Sequence, residues 1–135
     1  MREQPTPDLD SALVLGMAST AIPFARSREE EAERWLRILR LHGEAGAALQ
    51  ALGVSEAPLE GPAVHDEGDA PSEDVVARVV DAAAAAAERR QAPCFTTTDV
   101  LTAVIDVYGN DFNQVLRSHG TDRQEVLERL HPLAA

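Results

Sequence analysis

Apolar residues recur at helical spacing along most of this chain, and that spacing constrains the fold more than any other feature. Near the start, for example, Leu9, Leu13 and Met17 follow one another every four residues. No segment alternates apolar and polar residues with the period of two that half-buried strands show. Aromatic residues make up only 4% of the chain, so the core must consist of Ala, Leu, Val and Ile, which suits closely packed helices. We therefore predict an all-α fold.

Capping residues and helix breakers divide the chain into separate helices. A first helix is expected from near Asp8 to residue 22, before Pro23. Its predicted inner face consists of Leu9, Ala12, Leu13, Gly16, Met17, Thr20 and Ala21. Ser or Thr followed three residues later by an acid or amide is typical of a helix start. Such pairs occur at Ser27–Glu30, Thr96–Asp99 and Thr121–Gln124.

Two stretches of the chain share one plan, which predicts an internal repeat over residues 8–54 and 72–131. Each stretch has a long helix, a capped helix, a glycine break and a short helix that ends at a glycine. In this plan Leu49 corresponds to Leu116, and Gly53 corresponds to Gly120. One unit alone could not bury its apolar stripe, whereas two units can share a core. The expected architecture is therefore two tandem helical repeats that form a compact orthogonal bundle.

Three segments fall outside these helical units. Residues 1–7 contain two prolines and are expected to be a flexible lead. Residues 55–71 contain three prolines, two glycines and five acidic residues but no Arg, a composition typical of a mobile linker. Residues 132–135 are expected to be a short tail. The whole repeat region, 8–131, is predicted to form one domain.

The charge balance narrows the range of partners. The formal net charge is −11, and all twelve basic residues are Arg. Nucleic acids and anionic membrane surfaces require a basic patch, so both are disfavoured as partners. The amino terminus lacks the basic and apolar pattern of a signal peptide, and no apolar run approaches the length of a membrane span. A cytoplasmic location is the resulting expectation.

The residues that usually carry chemistry are scattered. Cys94 is the only cysteine, which rules out an intramolecular disulfide and is more typical of a half-buried structural thiol than of a nucleophile. The four histidines lack the paired spacing of metal ligands, and His119 is expected to be a satisfied residue at a helix end. The chain contains no Lys, so a conventional phosphate-binding loop is excluded. We predict no catalytic residue, no metal and no cofactor.

The repeated plan resembles the amino-terminal domain of Clp-type protein unfoldases. The first repeat reads Glu33-Arg-Trp-Leu36 and continues through a glycine turn to Ala48-Leu-Gln-Ala-Leu-Gly-Val54. The second reads Thr98-Asp-Val-Leu101 and continues through Gly109 to Val115-Leu-Arg-Ser-His-Gly-Thr121. The resemblance covers residues 8–131. It departs from the family where Arg34 and Val100 replace the histidine of each repeat opening.

This resemblance implies a docking domain that binds substrates, adaptors or peptides for an ATPase ring and has no ATPase activity of its own. In family members that recognise phosphorylated arginine, an acidic residue of each opening receives the guanidinium group. Glu33 and Asp99 occupy those places, so the expected ligand site is a groove between the repeats near Glu33, Thr98 and Asp99. The alternative is a stand-alone acidic helical regulator that sequesters a basic or DNA-binding protein.

Overall fold

Seven α-helices form the part of the protein that the computed structural model describes, residues 4–54 and 74–130. They are α1 (Leu9–Ala21), α2 (Arg28–Leu39), α3 (Gly43–Ala51), α4 (Val75–Arg89), α5 (Thr97–Tyr108), α6 (Asn110–Ser118) and α7 (Arg123–Leu130). The all-α prediction is therefore confirmed. None of these helices combines the length and the apolar character that a bilayer crossing would require.

Most helix starts lie where the capping residues predicted them. The Ser27 hydroxyl accepts a hydrogen bond from the Glu30 N–H at 3.1 Å, and Asp99 closes a capping box on Thr96. The last helix differs, because Asp122 rather than Thr121 accepts the Glu125 N–H, at 2.8 Å. A carboxylate is the stronger acceptor, and the start of α7 is therefore one residue later than predicted.

The prediction of which residues form the inner face of α1 is wrong. Leu9, Leu13 and Met17 were predicted to be buried, but they are 78%, 48% and 43% exposed. The other members of that predicted face are exposed or half-buried: Ala12, Gly16, Thr20 and Ala21. The residues that α1 does bury are Ser11, Val14 and Ala18. Because α1 is apolar on nearly every side, helical spacing fits two opposite faces, and the smaller side chains allow the closer packing.

The helix α5 lies at the centre of the fold and contacts each of the six other described helices. Its burial explains its composition, since apolar residues occur on almost every side of it. They are Val100, Leu101, Ala103, Val104, Ile105 and Tyr108. The sole tryptophan, Trp35 of α2, is fully buried in the same core.

The packing of the short helices is reciprocal. The helix α2 packs against α6, and α5 packs against α3. Both short helices also end in the same way, with a glycine at φ +90° and a closing hydrogen bond. The Val54 N–H donates to the Leu49 carbonyl at 3.0 Å, and the Thr121 N–H donates to the Leu116 carbonyl at 3.1 Å. These features are what a tandem repeat would produce, and the repeat itself remains a prediction.

Part of the expected flexible lead pairs with the chain before α5. The two-residue strand β1 (Thr6–Pro7) lies parallel to β2 (Cys94–Phe95). The pairing is held by hydrogen bonds from the Thr6 N–H to the Pro93 carbonyl and from the Asp8 N–H to the Phe95 carbonyl. The predicted linker, 55–71, and the predicted tail, 132–135, lie outside the described residues.

Candidate functional site

The carboxylate of Asp99 is buried and fully engaged within the protein. Asp99 is 3% exposed. One of its oxygens accepts the Thr96 N–H at 2.9 Å, and the other forms an ion pair with the guanidinium of Arg90, which follows α4. The hydrogen bond that the Arg90 guanidinium donates to Asp99 raises the pKa of Arg90. Asp99 therefore begins α5 and ties the end of α4 to it.

Thr98 and its neighbour Thr97 lie where the start of α5 meets the start of α3. The Thr98 side chain is half-buried, while the buried Thr97 hydroxyl accepts the Ala45 N–H at 3.2 Å. Gly43 approaches the same hydroxyl so closely that a Cβ there would collide with it. The small residues at this junction are thus explained by helix packing.

Glu33 lies in the second turn of α2 and pairs with His119. Its Oε1 and Oε2 atoms are 3.0 Å and 3.3 Å from His119 Nε2. His119 is the C-cap of α6, as expected for a histidine at a helix end. The pair therefore joins α2 to the end of α6, a contact that the sequence analysis did not predict.

The structure brings Thr98 and Asp99 together but not with Glu33. No hydrogen bond or ion pair in the described part of the chain joins Glu33 to either of them. Glu33 and Asp99 also do not occupy equivalent positions in their helices. Asp99 is the third residue of α5, whereas the third residue of α2 is Glu30. A guanidinium ligand at these carboxylates would have to displace Arg90 or His119, so the predicted groove offers no unpaired acid.

An exposed apolar surface on α1 is a second candidate site. We define the α1 face as Leu9, Leu13 and Met17 together with Phe24, which follows in a short 3-10 helix (Ile22–Phe24) and is 75% exposed. No charged residue occurs from Ser11 to Ala25, in a chain of which 26% is charged. Exposed large apolar side chains grouped along one stretch of a folded protein are a feature of interaction sites. The sequence does contain a signal for this surface, because a helix that is apolar on nearly every side leaves some apolar residues exposed when only one side is buried.

An open groove of about 720 Å³ lies between α6 and α7. Its lining combines basic, acidic and amide side chains with one leucine, namely Asn113, Arg117, Asp122, Arg123, Gln124, Leu127 and Glu128. The Asn113 side chain accepts the Arg123 N–H at 2.9 Å and so serves the start of α7. Across residues 4–54 and 74–130, no three His, Cys, Asp or Glu side chains converge as metal ligands.

Comparison with protein-family models, with curated proteins and with solved structures finds no match to this chain.

Proposed function

We propose that this chain is a protein- or peptide-binding module that docks partners through the α1 face and has no ATPase activity of its own. The observation that carries the proposal is the exposure of four large apolar side chains on α1 and the 3-10 helix that follows it, in a stretch that has no charged residue from Ser11 to Ala25. Water contact of such a surface is unfavourable, and covering it with a partner releases that free energy. An apolar centre with a polar surround is also the usual anatomy of a protein interface.

The chemistry of the predicted groove supports docking elsewhere. Asp99 already holds Arg90, and Glu33 already holds His119. Removing either partner would leave a largely buried charge unpaired, which is strongly destabilising. We therefore propose that Glu33, Thr98 and Asp99 act first in positioning helices. An arginine-phosphorylated ligand would bind there only by displacing Arg90 or His119.

The proposed partner is a Clp-type unfoldase, one of its adaptors or one of its substrates, in a cytoplasmic setting. This choice rests on the resemblance of residues 8–131 to the docking domain of those unfoldases. An apolar face fits this class of partner, because unfolded substrates present apolar segments that folded proteins bury. The α1 face would capture such a segment without any chemical step.

Quantitative binding to a purified Clp-type unfoldase ring, and separately to an unfolded apolar polypeptide, tests this proposal. We expect Leu13→Glu and Met17→Glu to weaken binding at least tenfold, because each places a charge in the apolar centre of the interface. Ala85→Glu is the matched control, since Ala85 is exposed on α4 and receives the same charge. Equal loss in the control, or unchanged binding in both α1 variants, would refute docking through this face.

Variants of the predicted groove separate it from the α1 face. Glu33→Gln and Asp99→Asn retain the size of each side chain but remove its charge. If the α1 face is the docking site, both variants bind the ring and the polypeptide as the native chain does, provided that their helicity is unchanged. Loss of binding to an arginine-phosphorylated protein in Asp99→Asn alone would instead place that ligand at the groove.

A regulator that sequesters a basic protein is the second candidate, and the distribution of charge favours it. Six carboxylates and no Arg occur in residues 55–73, namely Glu56, Glu60, Asp66, Glu67, Asp69 and Glu73. A partner held by these charges would bind with a strong dependence on salt. Its affinity should fall steeply from low to physiological ionic strength and should not change in Leu13→Glu. Salt-independent binding would exclude this candidate.

A further inference from the structure

We propose that the α1 face also binds a second copy of this chain, so that two α1 helices cross in an isologous dimer. This inference rests on the proposed function, because it names the occupant that covers the docking surface when no other partner is bound. In such a dimer the same surface is contributed by both copies. Docking of a partner would then compete with self-association.

Gly16, inside α1, is a glycine that no contact within the described chain requires. Gly16 lies mid-helix and is exposed, and a Cβ added there would meet no atom within 4 Å. A glycine in a helix interior lowers helix stability relative to alanine. Close approach of another backbone is the main structural benefit that glycine offers at such a position. The space above Gly16 is therefore suited to a second helix.

The shape of the α1 surface also suits contact with a second α1 helix. Leu9, Leu13 and Met17 form a ridge of large side chains at i, i+4 and i+8. Beside it runs a track of small exposed residues with the same spacing, Ala12, Gly16 and Thr20. Ridges along the i±4 rows of one helix fit into the grooves of another, which is the commonest packing class between helices. Ridge and track on one helix are complementary to the same pair on an antiparallel copy.

The distribution of charge along the chain favours contact through α1. Two copies of a chain with a net charge of −11 repel each other over most of their surfaces. The stretch from Ser11 to Ala25 contains no charged residue, so α1 is a surface at which two copies can approach. The carboxylates of Asp8 and Asp10 lie beside Leu9 at the start of α1, so the uncharged part of the helix begins at Ser11.

The exposed area of the α1 face is close to what a weak dimer interface needs. Aromatic side chains carry on the order of 150–250 Å² each, and the smaller leucine and methionine lie near the lower end of that range. The four side chains of the α1 face, at 43–78% exposure, therefore present on the order of 450 Å² per copy. Two copies, together with the small residues of the track, would bury roughly 1,000 Å², which is the lower limit for a specific interface. The expected dimer is consequently weak and concentration-dependent.

Sedimentation velocity across about 5–500 micromolar tests the dimer, because weak interfaces of this size associate in that range. We expect the native chain to shift from monomer to dimer and Leu13→Glu to stay monomeric. Ala85→Glu should behave as the native chain does. A native chain that remains monomeric throughout would overturn the inference.

Disulfide crosslinking tests the geometry. In a Cys94→Ser background, Gly16→Cys should form an intermolecular disulfide on mild oxidation, because the crossing places residue 16 beside its own copy. Ala85→Cys in the same background is the control and should crosslink far less. Equal crosslinking of the two variants would refute a crossing at α1.

The two proposals fail in different ways. If the native chain dimerises but partner binding is unchanged in Leu13→Glu, the self-association stands and docking through α1 is wrong. If Leu13→Glu loses partner binding and the native chain is monomeric, docking stands and the dimer is wrong. If both stand, rising concentration of the chain should lower the fraction that binds the unfoldase ring.

Discussion

Replacing Tyr108 with Phe should destabilise the protein far more than the loss of one oxygen suggests. The Tyr108 hydroxyl donates to Glu31 Oε1 at 2.6 Å and accepts the indole N–H of Trp35 at 3.0 Å. All three residues are buried, with exposures between 0% and 3%. Phe would fill the same space but leave the Trp35 donor and the Glu31 carboxylate without this partner.

The magnitude follows from those two groups. A buried donor left unsatisfied costs about 1–3 kcal/mol, and a charged group costs more. We therefore expect Tyr108→Phe to lower the free energy of unfolding by ~3–5 kcal/mol, a large share of the ~5–15 kcal/mol typical of a domain. Glu31→Gln is the matched comparison, because the amide oxygen can still accept from Tyr108. It should cost less than about half as much, because no hydroxyl or indole partner is lost.

Urea unfolding measures both variants, with helicity followed by circular dichroism. Trp35 is the only tryptophan, so its fluorescence reports on the same site. A Tyr108→Phe protein within about 0.5 kcal/mol of the native chain, at unchanged urea slope, would refute the reasoning. It would mean that water or rearranged side chains satisfy both groups at little cost.

Four further outcomes are expected. Burial and the Glu31 carboxylate raise the pKa of Tyr108, so folded protein keeps a phenol proton that the unfolded chain loses above pH about 10. The contribution of Tyr108 to stability should then be fully present below that pH and be lost above it by ~1.4 kcal/mol per unit, and an alkaline titration should show no such limb in Tyr108→Phe. Gly16→Ala should raise the free energy of unfolding by ~0.5–1 kcal/mol in dilute monomer. Gly46→Ala should lower the free energy of unfolding, because the new Cβ would lie 2.7 Å from the Arg40 carbonyl oxygen. Thermal melts of Gly16→Ala and Gly46→Ala against the native chain show the direction of each change. Gly120→Ala should cost ~1–2 kcal/mol in urea unfolding, because residue 120 has a φ of +90°.

Helix existence was predictable because it depends on local signals. Ser27 and Thr96 each begin a helix at the residue where their hydroxyls and the acid three residues later indicated. Gly53 and Gly120 each follow a short helix and adopt the positive φ that glycine favours. Each of these signals involves residues at most five apart, so no knowledge of tertiary packing was needed.

The orientation of α1 was not predictable from spacing. Its sequence is apolar around the whole helix, so periodicity cannot choose between the face with Val14 and the face with Leu13. Tertiary packing decides, and the core accepts Val14 and Ala18 while leaving the larger leucines outside. The error matters for function, because the residues assigned to the core are the ones that form the candidate docking surface.

The engagement of each candidate acid depends on a residue outside its own helix. Glu33 meets His119, which is 86 residues away in sequence. Asp99 is paired with Arg90 across the bend between α4 and α5. A charged residue in a sequence gives no indication of whether the fold supplies it with a partner, and in both cases the fold does.

The single thiol of the chain lies on the two-residue strand that pairs with the amino terminus. Cys94 is half-buried, with its Sγ 4.0 Å from the Thr6 hydroxyl. Its rate of alkylation in native protein should therefore report how often β1 detaches from β2. A short ladder held by few hydrogen bonds opens far more often than the core, so labelling would proceed without global unfolding. This would make Cys94 an intrinsic reporter of local opening at the amino terminus.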